Sequence, residues 1–346
     1  MKRFGKKLVM VLAVLMCGVI AFAGAACQRG GGKDTIAVIA KGETHAFWQA
    51  VKSGAMAAGE EYGYNVTFKG PVGESEEYVG TQREMVQAAL GNASTKAMVL
   101  ATIGLGFTDE LVTAFEKGIP VVEFDSGLYS DGADITEGKD PTVGSVATDN
   151  KAAAAVVAEN FYKYLKDNNQ LTAGTTYHVG VIRHDATATG LDRANGFIEK
   201  IEALAQADGF TIQIHLQAKT NNAGEYKAAL QALNNEGVSA IFMTNEGVVN
   251  EVYPEVSDNA DTYKNILFCG FDCGTNQYDW IKDAGKTYGL LVGSVAQDSY
   301  NIGYKAVELA AKKLAGETVS DVGIGGRWYT SENIDQLEEE NIFYKG

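Results

Sequence analysis

Two aspartates follow apolar runs in the same local pattern, and their carboxylates are the first candidates for chemistry. The pattern F-D-x-G occurs at residues 124–127, with Asp125, and again at residues 271–274, with Asp272. If each run is a strand of an open parallel sheet, each carboxylate lies at a carboxyl end, where such sheets bind ligands. Two similar domains facing each other would then present one carboxylate from each side of a shared cleft. In the alternative interpretation, either aspartate caps the turn or helix that follows it.

A second candidate is the segment 41–48, where an apolar run gives way to a helical pattern. His45 is the histidine with the most informative neighbours, because two adjacent aromatics, Phe47 and Trp48, follow it. Adjacent residues diverge by about 100° around a helix, so the two rings cannot serve one core face equally. Flat rings stack on the C–H face of a sugar, while carboxylates, amides and guanidinium groups bind its hydroxyls. The segment therefore predicts a neutral, polyhydroxylated ligand. In the alternative interpretation, one ring packs in the core and the other stays idle on the surface.

Sequence signatures of catalysis, cofactors and metals are missing. The chain has no G-x-x-x-x-G-K-[ST] phosphate loop, no G-x-S-x-G nucleophile elbow and no H-E-x-x-H zinc helix. Cys269 and Cys273 lack a second Cys or His pair at zinc-ligand spacing, so we expect buried free thiols, with a local disulfide as the alternative. We therefore expect no enzyme activity, no cofactor and no metal. The formal charge of -15 also argues against a nucleic-acid partner.

Short apolar runs alternate with amphipathic segments along 346 residues, which is enough chain for about two domains. The runs predict strands buried on both faces, at 36–40, 97–101, 120–124, 179–182, 212–216, 240–243, 266–271 and 290–295. Apolar residues at three-and-four spacing predict helices over 46–62, 78–90, 108–117, 150–167, 191–207, 223–234 and 298–315. Repeated strand-helix units imply an α/β fold with parallel sheets in doubly wound layers.

The first 26 residues are typical of an export signal. A positive head (Lys2, Arg3, Lys6 and Lys7) precedes an apolar stretch and the small residues before Cys27. This end resembles a lipobox, with Gly24 where leucine is usual. We therefore expect Cys27 to be diacylated and residues 27–34 to be a tether. The body would then be anchored outside the cytoplasmic membrane. The alternatives are a plain secretory signal and an uncleaved N-terminal helix.

From Ile36 to about Val319 the chain resembles the type I periplasmic sugar-binding proteins, the ribose- and galactose-binding kind that feed ABC importers. The resemblance rests on the residues above and on three further stretches: Arg193 in L-D-R-A-N-G-F, Asn245 in T-N-E, and Gln297 in V-A-Q-D. It implies that sugar is bound by His45, Phe47, Trp48, Asp125, Arg193, Asn245, Asp272 and Gln297. Ribose-type members have asparagine at His45, arginine at Ser126 and an aromatic around Asn221, so this chain departs from them at those positions. The departures favour a larger or differently substituted sugar, with Lys41 as a further polar contact.

The resemblance also implies an architecture and partners. We expect two Rossmann-like lobes joined by a multi-crossing hinge, with residues 35–148 and 298–318 in lobe 1 and residues 149–297 and 319–346 in lobe 2. The hinge would lie near Thr148-Asp149, near Gln297-Asp298 and after Gly316. A monomer would close around one monosaccharide and dock on ABC permease subunits.

Other functions remain open at this point. The same architecture could bind a nucleoside, a polyol or a signalling furanose, or serve as a co-receptor for a sensor kinase or chemoreceptor. A glycosidase using Asp125 and Asp272 lacks supporting motifs. A cytoplasmic repressor is disfavoured by the export signal and by the missing helix-turn-helix segment.

Overall fold

The computed structural model describes residues 33–44, 46–74, 76–104, 106–128, 138–186, 188–219, 224–282 and 288–339. Its contacts divide the chain into Met1–Lys33 and Asp34–Gly346, and the second unit holds the described strands and helices with their core. Cys27, His45 and Asn221 lie outside the described residues, as does the predicted signal peptide. Within the described ranges no helix combines the length and apolar character needed to cross a bilayer.

The first lobe is built on a six-stranded sheet with the order β11-β5-β4-β3-β1-β2. Its neighbouring strands are parallel. The strands are β1 Thr35–Ile39, β2 Asn65–Lys69, β3 Thr95–Leu100, β4 Val121–Phe124, β5 Thr142–Thr148 and β11 Val322–Ile324. The helices of this lobe are α1 Ala46–Tyr62, α2 Val79–Gly91, α3 Thr108–Glu116 and α10 Ser299–Leu314, and a 3-10 turn spans Glu76–Tyr78. The strand β1, between β3 and β2, is buried along its whole length, as expected of a parallel strand covered by helices on both faces.

The second lobe repeats this plan with the order β12-β10-β9-β8-β6-β7. Its strands are β6 Thr176–Arg183, β7 Thr211–Ala218, β8 Ala240–Met243, β9 Leu267–Phe271, β10 Leu290–Ala296 and β12 Arg327–Tyr329, the last of which is antiparallel to β10. Its helices are α4 Asn150–Asp167, α5 Ala188–Asp208, α6 Glu225–Asn235, α7 Glu246–Asp258, α8 Ala260–Tyr263, α9 Thr275–Lys282 and α11 Ile334–Glu339. The predicted α/β fold of two doubly wound lobes is confirmed.

Some elements differ from the prediction for identifiable reasons. The strand β7 was expected to be buried on both faces, but it lies at the sheet edge, and Leu216 is exposed. The strands β2 and β5 have polar or glycine residues within them and were not predicted from apolar runs. The helix α7 was also not predicted. Cys269 and Cys273 are buried free thiols, as predicted, and burial raises the pKa of the Cys269 thiol.

Within the described residues, the chain passes between the two sheets at three places. It leaves β5 at Thr148 and enters α4, which packs on β10 and β12 of the second sheet. It leaves β10 at Ala296 and enters α10, which packs on α1 and on strands of the first sheet. The third passage runs from β11 to β12 through Gly325-Gly326. The prediction put the third crossing after Gly316; the chain first adds β11 as an edge strand to the first sheet and crosses after that strand. The assignment of residues 319–346 to lobe 2 is wrong for β11.

An aspartate begins the helix that follows each of the first two crossings. Asp149 accepts a hydrogen bond from the Ala152 backbone N–H at 2.9 Å and so caps α4. Asp298 accepts one from the Asn301 N–H at 3.1 Å and so caps α10. A capping carboxylate satisfies a helix donor that would otherwise lack a partner. Each crossing therefore ends at a capped helix of the lobe that it enters.

Candidate functional site

The two F-D-x-G aspartates occupy equivalent places in the two sheets. Asp125 follows β4 with φ 57°, and Asp272 follows β9 with φ 74°. Each donates its backbone N–H to the next strand of its sheet, Asp125 to the Val146 carbonyl at 3.0 Å and Asp272 to the Val295 carbonyl at 2.7 Å. A left-handed backbone is uncommon outside glycine, although Asp and Asn adopt it more readily than most residues. The repeated motif thus builds the same strained corner at the carboxyl end of each sheet.

In the first lobe, Asp125 is paired with Lys41, which follows β1. Lys41 Nζ lies 2.7 Å from Asp125 Oδ2 and donates to Ser126 Oγ at 3.0 Å. The lysine ammonium also lies 5.8 Å from the centroid of the Trp48 ring. Three of the predicted ligand-binding residues, Lys41, Asp125 and Ser126, are therefore in direct contact.

Both aromatics of the predicted sugar platform belong to the core. Trp48 is 2% exposed and Phe47 is 8% exposed, and their rings meet edge to face with centroids 4.7 Å apart. The Trp48 ring also lies edge to face with Phe124, at 6.1 Å, and its indole N–H donates to Glu74 Oε1 at 2.7 Å. The alternative that leaves one ring idle on the surface is therefore wrong. Because Phe124 precedes Asp125, the indole packs beside the corner that carries this carboxylate.

In the second lobe, Asp272 is held by three donors from different elements. Gln297 Nε2 donates to Oδ1 at 2.6 Å, and the backbone N–H of Glu246, the first residue of α7, donates to Oδ2 at 2.9 Å. Arg193 Nη1 lies 3.5 Å from the same oxygen. Asp272, Gln297 and Arg193 were all predicted to bind ligand, and the fold brings their side chains into contact.

The backbone carbonyl of Asp272 is fixed as firmly as its side chain. Ser294 Oγ, from β10, and the Tyr329 hydroxyl, from β12, each donate to it at 2.8 Å. All three residues are buried. Sequence reasoning did not identify Ser294 or Tyr329, because neither stands near Asp272 in the sequence or in a recognisable motif.

Arg193 is positioned by hydrogen bonds at the edge of its guanidinium group and by an aromatic ring on one face. Its Nε donates to Asn150 Oδ1 at 2.8 Å and its Nη1 to the Thr244 carbonyl at 3.1 Å. The guanidinium carbon lies 3.8 Å from the centroid of the Phe271 ring, a cation-π distance. A buried guanidinium with these partners is a preorganised donor fork.

Two residues beside Arg193 have structural roles that the fold makes visible. The His184 imidazole bonds to Thr244 Oγ1 at 2.7 Å, and its pKa is lowered to about 4, first by burial and next by the Arg193 charge. His184 is therefore neutral at neutral pH. Asn245, predicted as a ligand contact, uses its side-chain oxygen to cap α7 by accepting from the Val248 N–H at 2.9 Å.

Comparison with known protein families identifies the family of this chain. Residues 36–318 match the family described as "Periplasmic binding protein domain". The chain belongs to this family. Its members are solute-binding proteins that act outside the cytoplasm, and the two-lobed architecture of this periplasmic binding protein agrees with that membership.

Solved structures similar to this periplasmic binding protein agree with the family. A protein from Brachyspira murdochii, described as "ABC transporter, LacI family transcriptional regulator", is 30% identical, with a TM-score of 0.78, over 90% of this chain and 99% of that one. An ABC transporter solute-binding protein from Agrobacterium vitis with bound D-fucose is 27% identical, with a TM-score of 0.66, over 90% of this chain and 100% of that one. A second Agrobacterium vitis protein, bound to α-D-tagatopyranose, is 21% identical, with a TM-score of 0.69, over 90% and 99% of the two chains, and shows the fold alone. The search of curated proteins gave no match.

Proposed function

We propose that this periplasmic binding protein captures an uncharged monosaccharide between its lobes and delivers it to an ABC importer. The observation that carries the proposal is that each lobe holds one aspartate paired with a cation. Asp125 is paired with Lys41 in one lobe, and Asp272 with Arg193 in the other. Sugar hydroxyls donate to carboxylates and accept from cationic groups, and such charge-assisted bonds are stronger than neutral ones. Each aspartate is already paired with a cation, so the charges of the site are balanced without a ligand. A charged ligand would add a charge that has no counter-ion there.

The relative with bound D-fucose supports a sugar as the ligand. That Agrobacterium vitis protein is 27% identical to this chain over nearly its whole length. We also expect His45, Ser126 and Asn221 to contact the sugar. At these three positions the chain differs from the ribose-type members. We therefore expect a sugar that is larger than ribose, or differently substituted, to be preferred.

Hinge closure supplies the mechanism of capture. Two α/β lobes joined by several crossing segments close on a ligand that contacts both, which is a standard rigid-body switch. Asp272, Arg193 and Gln297 would engage the sugar from the second lobe, and Asp125 and Lys41 from the first. Phe47 and Trp48 would support the apolar face of the ring, and Asn245 would contribute its amide nitrogen. The closed form would then dock on the permease subunits as a monomer.

The proposal is tested by thermal shift with a panel of sugars. The chain from residue 33 to 346 retains the compact unit and its core. Its unfolding should be followed with D-fucose, D-tagatose, D-arabinose, D-ribose, D-galactose and D-glucose, each at rising concentration. A sugar at 100 times its Kd stabilises the folded protein by about 2.7 kcal/mol. The panel should also contain a nucleoside and a polyol, because a response to one of these alone would replace the sugar with another small ligand. No response to any member would contradict the proposal.

We further propose that the protein is a lipoprotein anchored to the outer face of the cytoplasmic membrane. The supporting observation is the positively charged head, apolar stretch and small residues that precede Cys27. A diacylated cysteine carries two chains, and two chains are enough for stable anchoring. In a bacterial host, the unmodified chain should appear in the membrane fraction, and the C27S variant should be released. Equal membrane retention of both would contradict the lipid anchor and favour an uncleaved helix.

A further inference from the structure

Five residues form a closed circuit of polar contacts beside the proposed sugar site, and one link of it is the backbone carbonyl of Thr148. Asp272 Oδ1 accepts from Gln297 Nε2 at 2.6 Å, and Gln297 Oε1 accepts from Thr148 Oγ1 at 2.7 Å. The Thr148 carbonyl accepts from Asn150 Nδ2 at 3.1 Å, and Asn150 Oδ1 accepts from Arg193 Nε at 2.8 Å. Arg193 Nη1 lies 3.5 Å from Asp272 Oδ2 and closes the circuit. We call these five residues the polar ring.

The polar ring includes both of the first two crossings between the lobes. Thr148 ends β5 and Asn150 begins α4, so they bracket the first crossing. Gln297 lies in the second crossing, between β10 and α10. The bond between Thr148 and Gln297 therefore joins one crossing to the other. The other two members, Asp272 and Arg193, are the charged pair proposed to bind sugar.

Thr148 and Asp272 together hold the two ends of the Gln297 amide. A side-chain amide has a donor end and an acceptor end, and the two have nearly the same shape. The Thr148 hydroxyl donates to Oε1, which leaves the Nε2 donor pointing at the Asp272 carboxylate. A carboxylate only accepts, so Asp272 keeps the Nε2 end of the amide, and without the Thr148 hydroxyl the Oε1 end would be buried without its donor. Thr148 and Gln297 are 6% and 7% exposed, so water does not readily replace the lost partner.

We propose that Thr148 is a positioning residue for sugar capture: acting through Gln297, it orients Asp272 and couples occupancy of the sugar site to the hinge crossings. This inference rests on the proposed function. When a sugar hydroxyl binds Asp272, it alters the hydrogen bond between Gln297 and this carboxylate. Because Gln297 lies in the second crossing and is bonded to Thr148 in the first, the alteration reaches the segments about which the lobes rotate. The role of Thr148 is thus distinct from that of a residue touching the ligand.

The test compares T148V, which replaces the hydroxyl with a methyl group of similar volume, with T148S, which keeps the donor. The probe is whichever of D-fucose, D-tagatose and D-arabinose binds the unmodified chain most tightly, measured by calorimetry. We expect T148V to raise the Kd about tenfold and T148S to stay within about twofold of the unmodified chain. A Kd unchanged in T148V, or raised equally in T148S, would overturn the proposal.

A matched control separates positioning from general stability. Thr35 is a buried threonine at the start of β1, and its hydroxyl bonds to Ser94 Oγ at 3.1 Å and accepts from Asn65 Nδ2 at 3.2 Å. It lies at the amino end of the first sheet, away from the polar ring. T35V should lower the melting temperature of the free protein as T148V does, but it should leave the Kd unchanged. An equal rise of Kd in both variants would show that the effect is loss of stability, which would overturn the proposal.

A measurement without sugar keeps this inference separate from the proposed function. Ala88 on α2 and Ala228 on α6 are exposed, one in each lobe, and cysteines introduced there can carry spin labels. T148V should broaden the distance distribution between the labels in the free protein, while T148S and T35V should leave it as in the parent. An unchanged distribution in T148V would overturn the coupling. If no sugar binds the parent chain, the proposed function fails, and this distance measurement still decides whether Thr148 controls the hinge.

Discussion

Replacing Asp272 with asparagine is expected to weaken sugar binding by at least about 100-fold, which corresponds to about 2.7 kcal/mol. Among the described residues, the partners of this carboxylate are donors: Gln297 Nε2, the Glu246 N–H and Arg193 Nη1. Asparagine must direct its own NH2 group at one of them, and it leaves the Arg193 charge without its counter-ion. The charge-assisted bond from a sugar hydroxyl is lost as well.

Asparagine is the informative substitution at this position because it keeps the backbone. Asp272 has φ 74°, a conformation that asparagine adopts readily and alanine does not. The free protein should still lose stability, on the order of 3 kcal/mol, because one partner of a buried ion pair is removed. Calorimetry below the lowered melting temperature therefore measures binding by folded protein.

The control for this variant is D149N, in the first crossing. Asp149 is exposed and caps α4, a role that asparagine performs equally well. D149N removes the same charge close to the polar ring without touching Asp272, so its Kd should stay within about twofold of the parent. A D272N protein that binds sugar with the parent Kd would remove Asp272 from the site.

The sequence located the two aspartates because their signal is local. An apolar run predicts a strand, and F-D-x-G marks its end, so the repeated motif placed Asp125 and Asp272 at equivalent corners of two sheets. The periodicity also predicted most of the strands and helices and the α/β class. Edge position is not local, since it depends on which strands lie beside a segment. The strand β7 was accordingly misjudged as fully buried.

The contacts that join the site to the hinge were beyond sequence reasoning. Thr148 and Gln297 are 149 positions apart, and their bond forms only because two crossing segments run side by side. The Tyr329 hydroxyl reaches the Asp272 carbonyl only because β12 pairs with β10 after the third crossing. Each of these residues is ordinary in its own sequence context. Their roles follow from the topology that assembles them.

The largest stability effect is expected where α10, the helix that follows the second crossing, packs against α1. A Cβ added at Gly303 would lie 1.9 Å from the Val51 carbonyl oxygen, and one added at Gly54 would lie 1.9 Å from the Tyr300 carbonyl oxygen. Backbone atoms cannot move aside as a side-chain end can, so the whole helix must shift. We expect G303A to cost about 3 kcal/mol or more, at the upper end for overpacked cores. Its melting temperature should fall by at least about 6 °C.

The matched control for G303A is G80A, on α2. A Cβ at Gly80 meets nothing within 4 Å, and alanine favours helix over glycine by up to about 1 kcal/mol, so this variant should be neutral or slightly more stable. Because α10 begins at the Asp298 cap beside Gln297, a displaced α10 should also disturb the second crossing. G303A should therefore raise the sugar Kd as well as lower the melting temperature, and G80A should change neither by much. A G303A protein as stable as G80A would mean that the two helices do not approach as closely as these glycines require.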